Sequence, residues 1–406
     1  MPARSIIGQA ETVIVGAGIV GSALAFHFAR MGHRDVLVLD RGRLDAPGGS
    51  TGHAPGLLGR NAASPVLSAL ACDTAALLAE LPVEAPALSR VGSIEVVRQR
   101  SRLSELERKL EAARARGLTA RLLTPDEVGE RVPYLDRRVV AGGLFLPDDG
   151  VMDVKRGLRA IQAEASGLGA SFREATEVVG VAFDGDRVTG VVTPEGVIGC
   201  GRVVIAIGIW GPTLLEELGI SLPIIPVQHP YVTTEPLPEL AGAVAEAAHP
   251  FVRDVERLLY LREHGDRLGF GWFNHEPVVS DARSLQCADL PFPDCGPLEA
   301  VRHDLVPALA QLRHHKRLNG LLAMTPDGLP LIGPIEGRAG LWIAEAIWVT
   351  HACGAARALA ERILGHTPWL DLASFAPHRF ADRDAQTARR ESLEVYNDIY
   401  RWDQSS

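Results

Sequence analysis

Three glycines set between two short apolar runs restrict the start of this chain more than any other feature in it. Thr12-Val13-Ile14-Val15 has the length and character of a buried strand, Gly16, Gly18 and Gly21 follow, residues 22–31 continue as a helical run, and Gly32 closes it. Val36-Leu37-Val38-Leu39 then reads as a second strand, with Asp40 at its end. Strand, glycine turn, helix and strand in this order make a βαβ unit of the dinucleotide-binding kind. Gly16 permits the tight turn, Gly18 lets backbone approach a pyrophosphate, and Gly21 lets helix and strand pack closely. The helix N-terminus faces the phosphate charge, and Asp40 can accept ribose hydroxyls. Glycine spacing alone also describes a purely structural turn; the register of the flanking elements and Asp40 favours the nucleotide.

One such unit does not account for the whole chain. Its 406 residues, 47% of them apolar, exceed a single ordinary core, so a second domain is expected. The formal net charge of −9 argues against a nucleic-acid partner. No apolar run is long enough to span a membrane, and residues 1–11 lack the apolar centre of a secretion signal, so a cytoplasmic location is the expectation. Cys72, Cys200, Cys287, Cys295 and Cys353 are scattered without a CxxC pair. They read as ordinary thiols, with no metal site.

Further along, helices are expected at residues 64–80, 103–116, 154–168 and 354–364, and another starts with Thr124 as N-cap and Pro125 in its first turn. Strands are expected at 92–97, 142–147, 202–208 and 341–344, with a hairpin over 178–192 that turns at Asp184-Gly185-Asp186. Residues 147–150 read as a turn. A β-rich middle contributes strands at 226–234, 258–262 and 267–272. The pattern is an α/β fold: a Rossmann-like domain with a second domain rich in β-sheet. Residues 1–85, 150–225 and 318–380 are expected to form the discontinuous nucleotide domain. Residues 86–149 and 226–317 would form the substrate domain, and 381–406 a charged tail with a surface helix.

Four separated motifs carry a family likeness. They are Gly48-Gly49-Ser50-Thr51-Gly52-His53-Ala54-Pro55-Gly56-Leu57, Arg262-Glu263-His264-Gly265-Asp266-Arg267, Thr325-Pro326-Asp327-Gly328, and Ala344-Glu345-Ala346-Ile347-Trp348-Val349-Thr350-His351. On these the chain resembles the flavoprotein portion of the dimethylglycine oxidase, dimethylglycine dehydrogenase and sarcosine dehydrogenase family, within the D-amino-acid-oxidase-like superfamily. The resemblance implies a glycine-oxidase-like fold and an FAD bound covalently through its 8α carbon to His53. It places FAD contacts on Gly16, Gly18, Ile19, Val20, Gly21, Asp40, Arg41, Ser50, Thr51, Gly52, His53, Leu57, Val178, Tyr260, Ile347, Trp348, Val349 and Thr350. It assigns amine chemistry to His229 and Tyr260. Two departures stand out: no folate-binding module follows within this sequence, which makes free formaldehyde the expected one-carbon product, and residues 277–303 form a shorter stretch than the family suggests.

Flavin oxidation of an amine needs the nitrogen lone pair, and alkylamines with pKa values near 10 are protonated at neutral pH. A group must therefore take that proton, and His229 and Tyr260 are the candidates. Taken without the family, His229 also reads as a capped histidine at a strand turn and Tyr260 as a half-buried strand tyrosine. His351 reads equally as structural or cavity-facing. Trp210, Trp272, Phe273 and Trp348 are candidates for an apolar wall, and Arg253, Arg257 or Arg262 for a carboxylate partner. The strand-to-helix junction near residue 350 is expected to aim a helix N-terminus at the flavin. The expected activity is oxidation of a secondary or tertiary N-methyl amine or amino acid to an iminium that hydrolyses to formaldehyde. Oxygen or an electron-transfer protein would be the acceptor. Ring closure or desaturation of a metabolite, and a regulatory flavoprotein without turnover, are the alternatives.

Overall fold

A computed structural model describes residues 5–82, 86–284, 290–292 and 304–402. Cys287, Cys295 and much of the 277–303 stretch lie outside these residues. The six-stranded sheet at the base runs in the order Ser171–Arg173, Val36–Leu39, Thr12–Val15, Arg202–Ile205, Leu341–Glu345, Leu331–Pro334. The first five strands are parallel and the last is antiparallel at the edge. The central strands carry apolar residues without alternation because both faces are covered. Helices Ile19–Arg30, Pro65–Glu80, Val154–Gly167 and Ala352–Ile363 supply one layer, joined through Leu24, Phe28, Leu70, Ile161 and Leu359. The other face packs Val13, Val15, Leu37 and Leu39 against Val181, Val188, Val191 and Ile198. These last four belong to a four-stranded sheet made by Gly180–Asp184, Arg187–Val192, Val197–Gly199 and the N-terminal strand Ile6–Gln9.

The eight-stranded sheet runs His314–Met324, Ile225–Pro236, Arg267–Trp272, Leu259–His264, Phe251–Asp254, Ser93–Val97, Gly142–Leu146, Arg121–Leu123. Its register decides the chemistry of its cavity face. His229 lies opposite Gly320, Tyr260 and Tyr231 both pair with Gly271, and Arg253 pairs with Tyr260. His229 and Tyr231 are two residues apart in one strand and so share a face. A Cβ on Gly271 would stand 2.3 Å from the Tyr260 hydroxyl oxygen, so only glycine leaves room for that phenol.

Several elements differ from expectation. The first helix begins at Ile19 with Gly18 as its N-cap, a turn earlier than residue 22. Gly150 is not in a turn: Gly150–Met152 is a strand held between Leu57–Leu58 and Leu88–Ser89. The strand His314–Met324 had no recognisable signal, because its first half is basic and polar. It sits at a sheet edge, where charge on the open side is tolerated. Among the described residues no helix is long and apolar enough to cross a membrane.

Candidate active site

One cavity of 1140 Å³ runs from the glycine turn to the eight-stranded sheet. It exceeds the roughly 300–1,000 Å³ of ordinary small-molecule pockets. At one end are Gly16, Gly18, Ile19 and Val20, with Asp40, Arg41 and Val178 alongside. Asp40 accepts from the amides of Ala17 at 2.8 Å and Gly42 at 2.7 Å, which fixes its carboxylate at the strand end. Each oxygen retains a lone pair for a further donor. The Arg41 guanidinium lies 4.3 Å from the Trp210 ring centre, and both residues line the cavity. Gly21 does not face the cavity; a Cβ there would stand 1.9 Å from the Gly16 carbonyl oxygen, so its role is helix-to-turn packing. Gly52 is also turned away, since a Cβ would stand 2.0 Å from the Pro47 carbonyl oxygen.

The loop from Pro47 to Leu57 is clamped from every side. Thr51 Oγ1 accepts from the Ile19 amide at the first helix's N-terminus (3.2 Å), and Ser50 Oγ donates to the Leu321 carbonyl (2.8 Å). The Gly56 carbonyl accepts from the Met152 amide (2.7 Å), and the Leu57 carbonyl from Thr350 Oγ1 (2.9 Å). Arg262 donates Nη1 to the Pro55 carbonyl at 2.7 Å, and its Nη2 to Glu246, so it supports the loop from behind. Those contacts explain how the separated motifs meet. Thr325 and Asp327 form a separate turn, which Arg379 clasps through both carboxylate oxygens.

His53 lines the cavity. Its Nδ1 is buried and takes no hydrogen bond among the described residues. Burial, followed by the charges of Lys155 and Lys316, lowers its pKa, leaving a neutral ring with a free lone pair. Leu57, Ile347, Trp348, Val349 and Thr350 line the same region, and Ala346 adopts a left-handed φ of 55° to turn the backbone there. The following helix begins at Ala352, and its Cys353 and Gly354 amides donate to Thr74 Oγ1 at 3.2 and 3.3 Å. Thr74 thus caps two amides of the helix's first turn, while Val349 and Thr350 of the turn that leads into it line the cavity.

At the opposite end His229 and Tyr260 meet: Nε2 and the phenolic oxygen lie 2.8 Å apart. Both side chains line the cavity and both are buried. Burial pushes His229 down to about 3, with His275 adding like-charge repulsion, and raises Tyr260 well above its ordinary value. A neutral imidazole bonded to a neutral phenol is thus available at neutral pH. The reading of His229 as a strand-turn histidine is corrected: it lies inside the strand Ile225–Pro236.

Around this pair stand Phe273, Trp348, Tyr231 and Tyr400, and Trp210 lines the cavity as well. Trp272 does not; it packs in the second core beside Phe270 and Phe292, because strand alternation turns it to the far face. Of the three arginines, Arg253 reaches the cavity. Arg257 pairs at 3.9 Å with Asp304, and Arg262 is spent on the loop. The Nε of Arg253 is buried without a hydrogen bond, and among the described residues no carboxylate forms an ion pair with it. His351 stays outside the lining; burial first and the Arg253 charge second lower it to about 4.

Tyr231, Tyr396, Ile399 and Tyr400 escaped the sequence reading. Ile399 and Tyr400 line the cavity, and Tyr396 bonds to His229 Nδ1 at 2.9 Å from a fully buried position. The tail helix Ala385–Asn397 is therefore part of the site rather than a surface appendage. A signal was present: of five tyrosines in the chain, two lie four residues apart at its end. Among the described residues no cluster of metal ligands occurs.

Residues 11–362 match the family model described as FAD dependent oxidoreductase. The mitochondrial dimethylglycine dehydrogenase of Mus musculus is 30% identical over 390 residues, covering 92% of this chain and 44% of that protein. The 4-methylaminobutanoate oxidase (formaldehyde-forming) of Paenarthrobacter nicotinovorans is 30% identical over 382 residues, 91% of this chain and 46% of that one. The chain thus spans less than half the length of these curated relatives. Among solved structures, L-proline dehydrogenase from P. horikoshii superposes with a TM-score of 0.81 at 25% identity, over 92% of this chain and 98% of the other.

Proposed function

The chain belongs to the FAD-dependent oxidoreductase family, and from that premise we propose that it oxidises a secondary or tertiary N-methyl amino acid with release of formaldehyde. The observation that carries this reading is the His229–Tyr260 hydrogen bond on the wall of a cavity whose other wall is a dinucleotide turn. Gly16 to Ile19 and the first helix would hold the pyrophosphate, Asp40 the ribose, Val178 the adenine side, and residues 50–57 and 346–350 the ring. His53, whose buried Nδ1 has no hydrogen-bond partner among the described residues, would be the covalent attachment point at the 8α carbon. When bound, FAD supplies the acceptor for the hydride equivalent taken from the carbon next to nitrogen.

Every other part of the task falls to the protein. Tyr260 and His229 remove the ammonium proton that blocks the lone pair. Arg253, whose buried Nε has no hydrogen bond among the described residues, orients a substrate carboxylate beside them. Phe273, Trp348 and Tyr400 exclude water around the N-methyl group. The iminium that results adds water and breaks down to the demethylated amine, formaldehyde and a proton. Oxygen or an electron-transfer protein takes the electrons afterwards.

The test is anaerobic mixing of the holoenzyme with sarcosine, dimethylglycine and 4-methylaminobutanoate, following loss of the oxidised flavin band and assaying formaldehyde. Bleaching with stoichiometric formaldehyde is expected. A flavin that dithionite reduces and none of these amines bleaches would overturn the reading. In a denaturing gel the wild-type band should fluoresce and His53→Ala should not; a dark wild-type band refutes the covalent bond alone.

A further inference from the structure

Behind His229 the hydrogen bonds continue toward the surface. Tyr396 Oη lies 2.9 Å from His229 Nδ1 and 2.8 Å from His275 Nε2, and His275 Nδ1 lies 2.9 Å from the Glu276 carbonyl oxygen. Tyr396 is fully buried on the helix Ala385–Asn397, whereas His275 is half-buried just beyond the strand Arg267–Trp272. Asn397 holds that segment to the helix by donating to the His275 carbonyl at 3.3 Å.

The chemistry of the last acceptor sets the direction of the whole chain. A carbonyl oxygen only accepts, so neutral His275 carries its proton on Nδ1 and presents Nε2 as an acceptor. Tyr396 then donates to His275, and its oxygen accepts from His229 Nδ1–H. That leaves His229 Nε2 to accept from the Tyr260 hydroxyl. A longer contact of 3.1 Å to the Gln228 carbonyl shares the Tyr396 proton without reversing it.

We propose that Tyr260, His229, Tyr396 and His275 form a proton wire that carries the ammonium proton of an amine substrate from the cavity to solvent, with Tyr396 and His275 as positioning residues acting through His229. The wire rests on the amine-oxidation reading above. The substrate ammonium proton passes to the Tyr260 oxygen as the Tyr260 proton moves to His229 Nε2. His229 Nδ1–H moves to Tyr396, and the Tyr396 proton to His275 Nε2. Doubly protonated His275 then releases its Nδ1 proton to water. One proton enters and one leaves, no electrons move, and the substrate is left as the neutral amine. Burial lowers both histidines, His229 to about 3, so neither retains the proton at neutral pH. Around His275 stand the rings of Trp272 and Tyr396, the Glu276 carbonyl and Asn397, and a charge on His275 further lowers His229.

The test is the anaerobic flavin-reduction rate with sarcosine and dimethylglycine in wild type, Tyr396→Phe, His275→Gln and His275→Ala. Both Tyr396→Phe and His275→Gln should slow reduction by roughly tenfold or more while leaving the amine's dissociation constant unchanged. Added imidazoles should restore His275→Ala in an order that follows their pKa, which mere filling of a hole would not do. Independently of turnover, nitrogen NMR of labelled histidines should show His229 and His275 as neutral Nδ1–H tautomers. If Tyr396→Phe does not fold, His275→Gln, at a half-buried position, carries the kinetic test. Wild-type reduction rates in the variants, or an Nε2–H tautomer at His275, would overturn the wire and leave amine oxidation standing. Failure of every amine to reduce wild-type flavin removes the function of the wire together with that reading, whatever the tautomers show.

Discussion

At the glycine-turn end of the cavity the lining comes largely from one stretch, residues 15–57, which is rich in glycine. At the aromatic end His229, Arg253, Tyr260, Phe273 and Tyr400 come from five separate segments and act through side chains. The first end depends on close approach: at Gly16 a Cβ would stand 2.4 Å from the Ala206 carbonyl oxygen. The second depends on register, because a one-residue slip of the strand Ile225–Pro236 would turn His229 and Tyr231 away from the cavity. On the function proposed above, binding a nucleotide needs a local shape, whereas selecting and deprotonating an amine needs distant groups brought to one place. The two ends are therefore expected to fail separately.

Tyr260→Phe should have the largest effect. It removes the hydroxyl that bonds to His229 and should slow anaerobic flavin reduction by about 10²-fold or more, with flavin content unchanged. Equal loss of flavin and rate would break the separation between the ends. Arg253→Met should weaken carboxylate-bearing amines by about ten- to a hundredfold, as expected for loss of a charge-assisted hydrogen bond worth about 1.5–3 kcal/mol. It should leave an uncharged N-methyl amine nearly unaffected, and equal losses for both classes would remove Arg253 from substrate recognition.

Acid stability sharpens the comparison most gently, because the nucleotide-side helix and the aromatic end each hold a buried histidine. His27, in the first helix, is lowered to about 3 chiefly by burial, and His229 likewise to about 3. In both cases the unfolded chain binds the proton more readily, so stability is full above pH 6.5 and is lost progressively as pH falls toward the folded values. At pH 5 each should cost about 2 kcal/mol. His27→Gln should flatten the fall in denaturant midpoint between pH 7 and pH 5 while leaving amine turnover alone. An unchanged slope would assign the acid sensitivity elsewhere.

The difference between the ends also explains what could be read without a structure. The glycine turn and Asp40 are legible because local conformation carries them, which residue type and spacing constrain directly, whereas the loop with His53 is singled out by the family likeness. His229 and Tyr260 are named through family likeness, yet their contact is a product of register in the eight-stranded sheet. The pairing of Tyr396 with His275 leaves no mark in the sequence for the same reason: 121 positions separate two side chains that share a hydrogen bond. Trp272 reads like Trp210 or Trp348 in sequence, and strand alternation alone sends it to the core.

The sequence by itself therefore determined that a nucleotide unit opens the chain, that its phosphate end must be built from glycine backbone, and that His53 lies close downstream. Those properties are set by short-range sterics and helix termini. The tertiary structure alone decided that Arg253 rather than Arg257 or Arg262 enters the cavity, that Thr74 caps the last core helix, and that the tail helix completes the site. Sheet register and packing between remote segments set these, and such long-range pairings leave no periodicity along the chain.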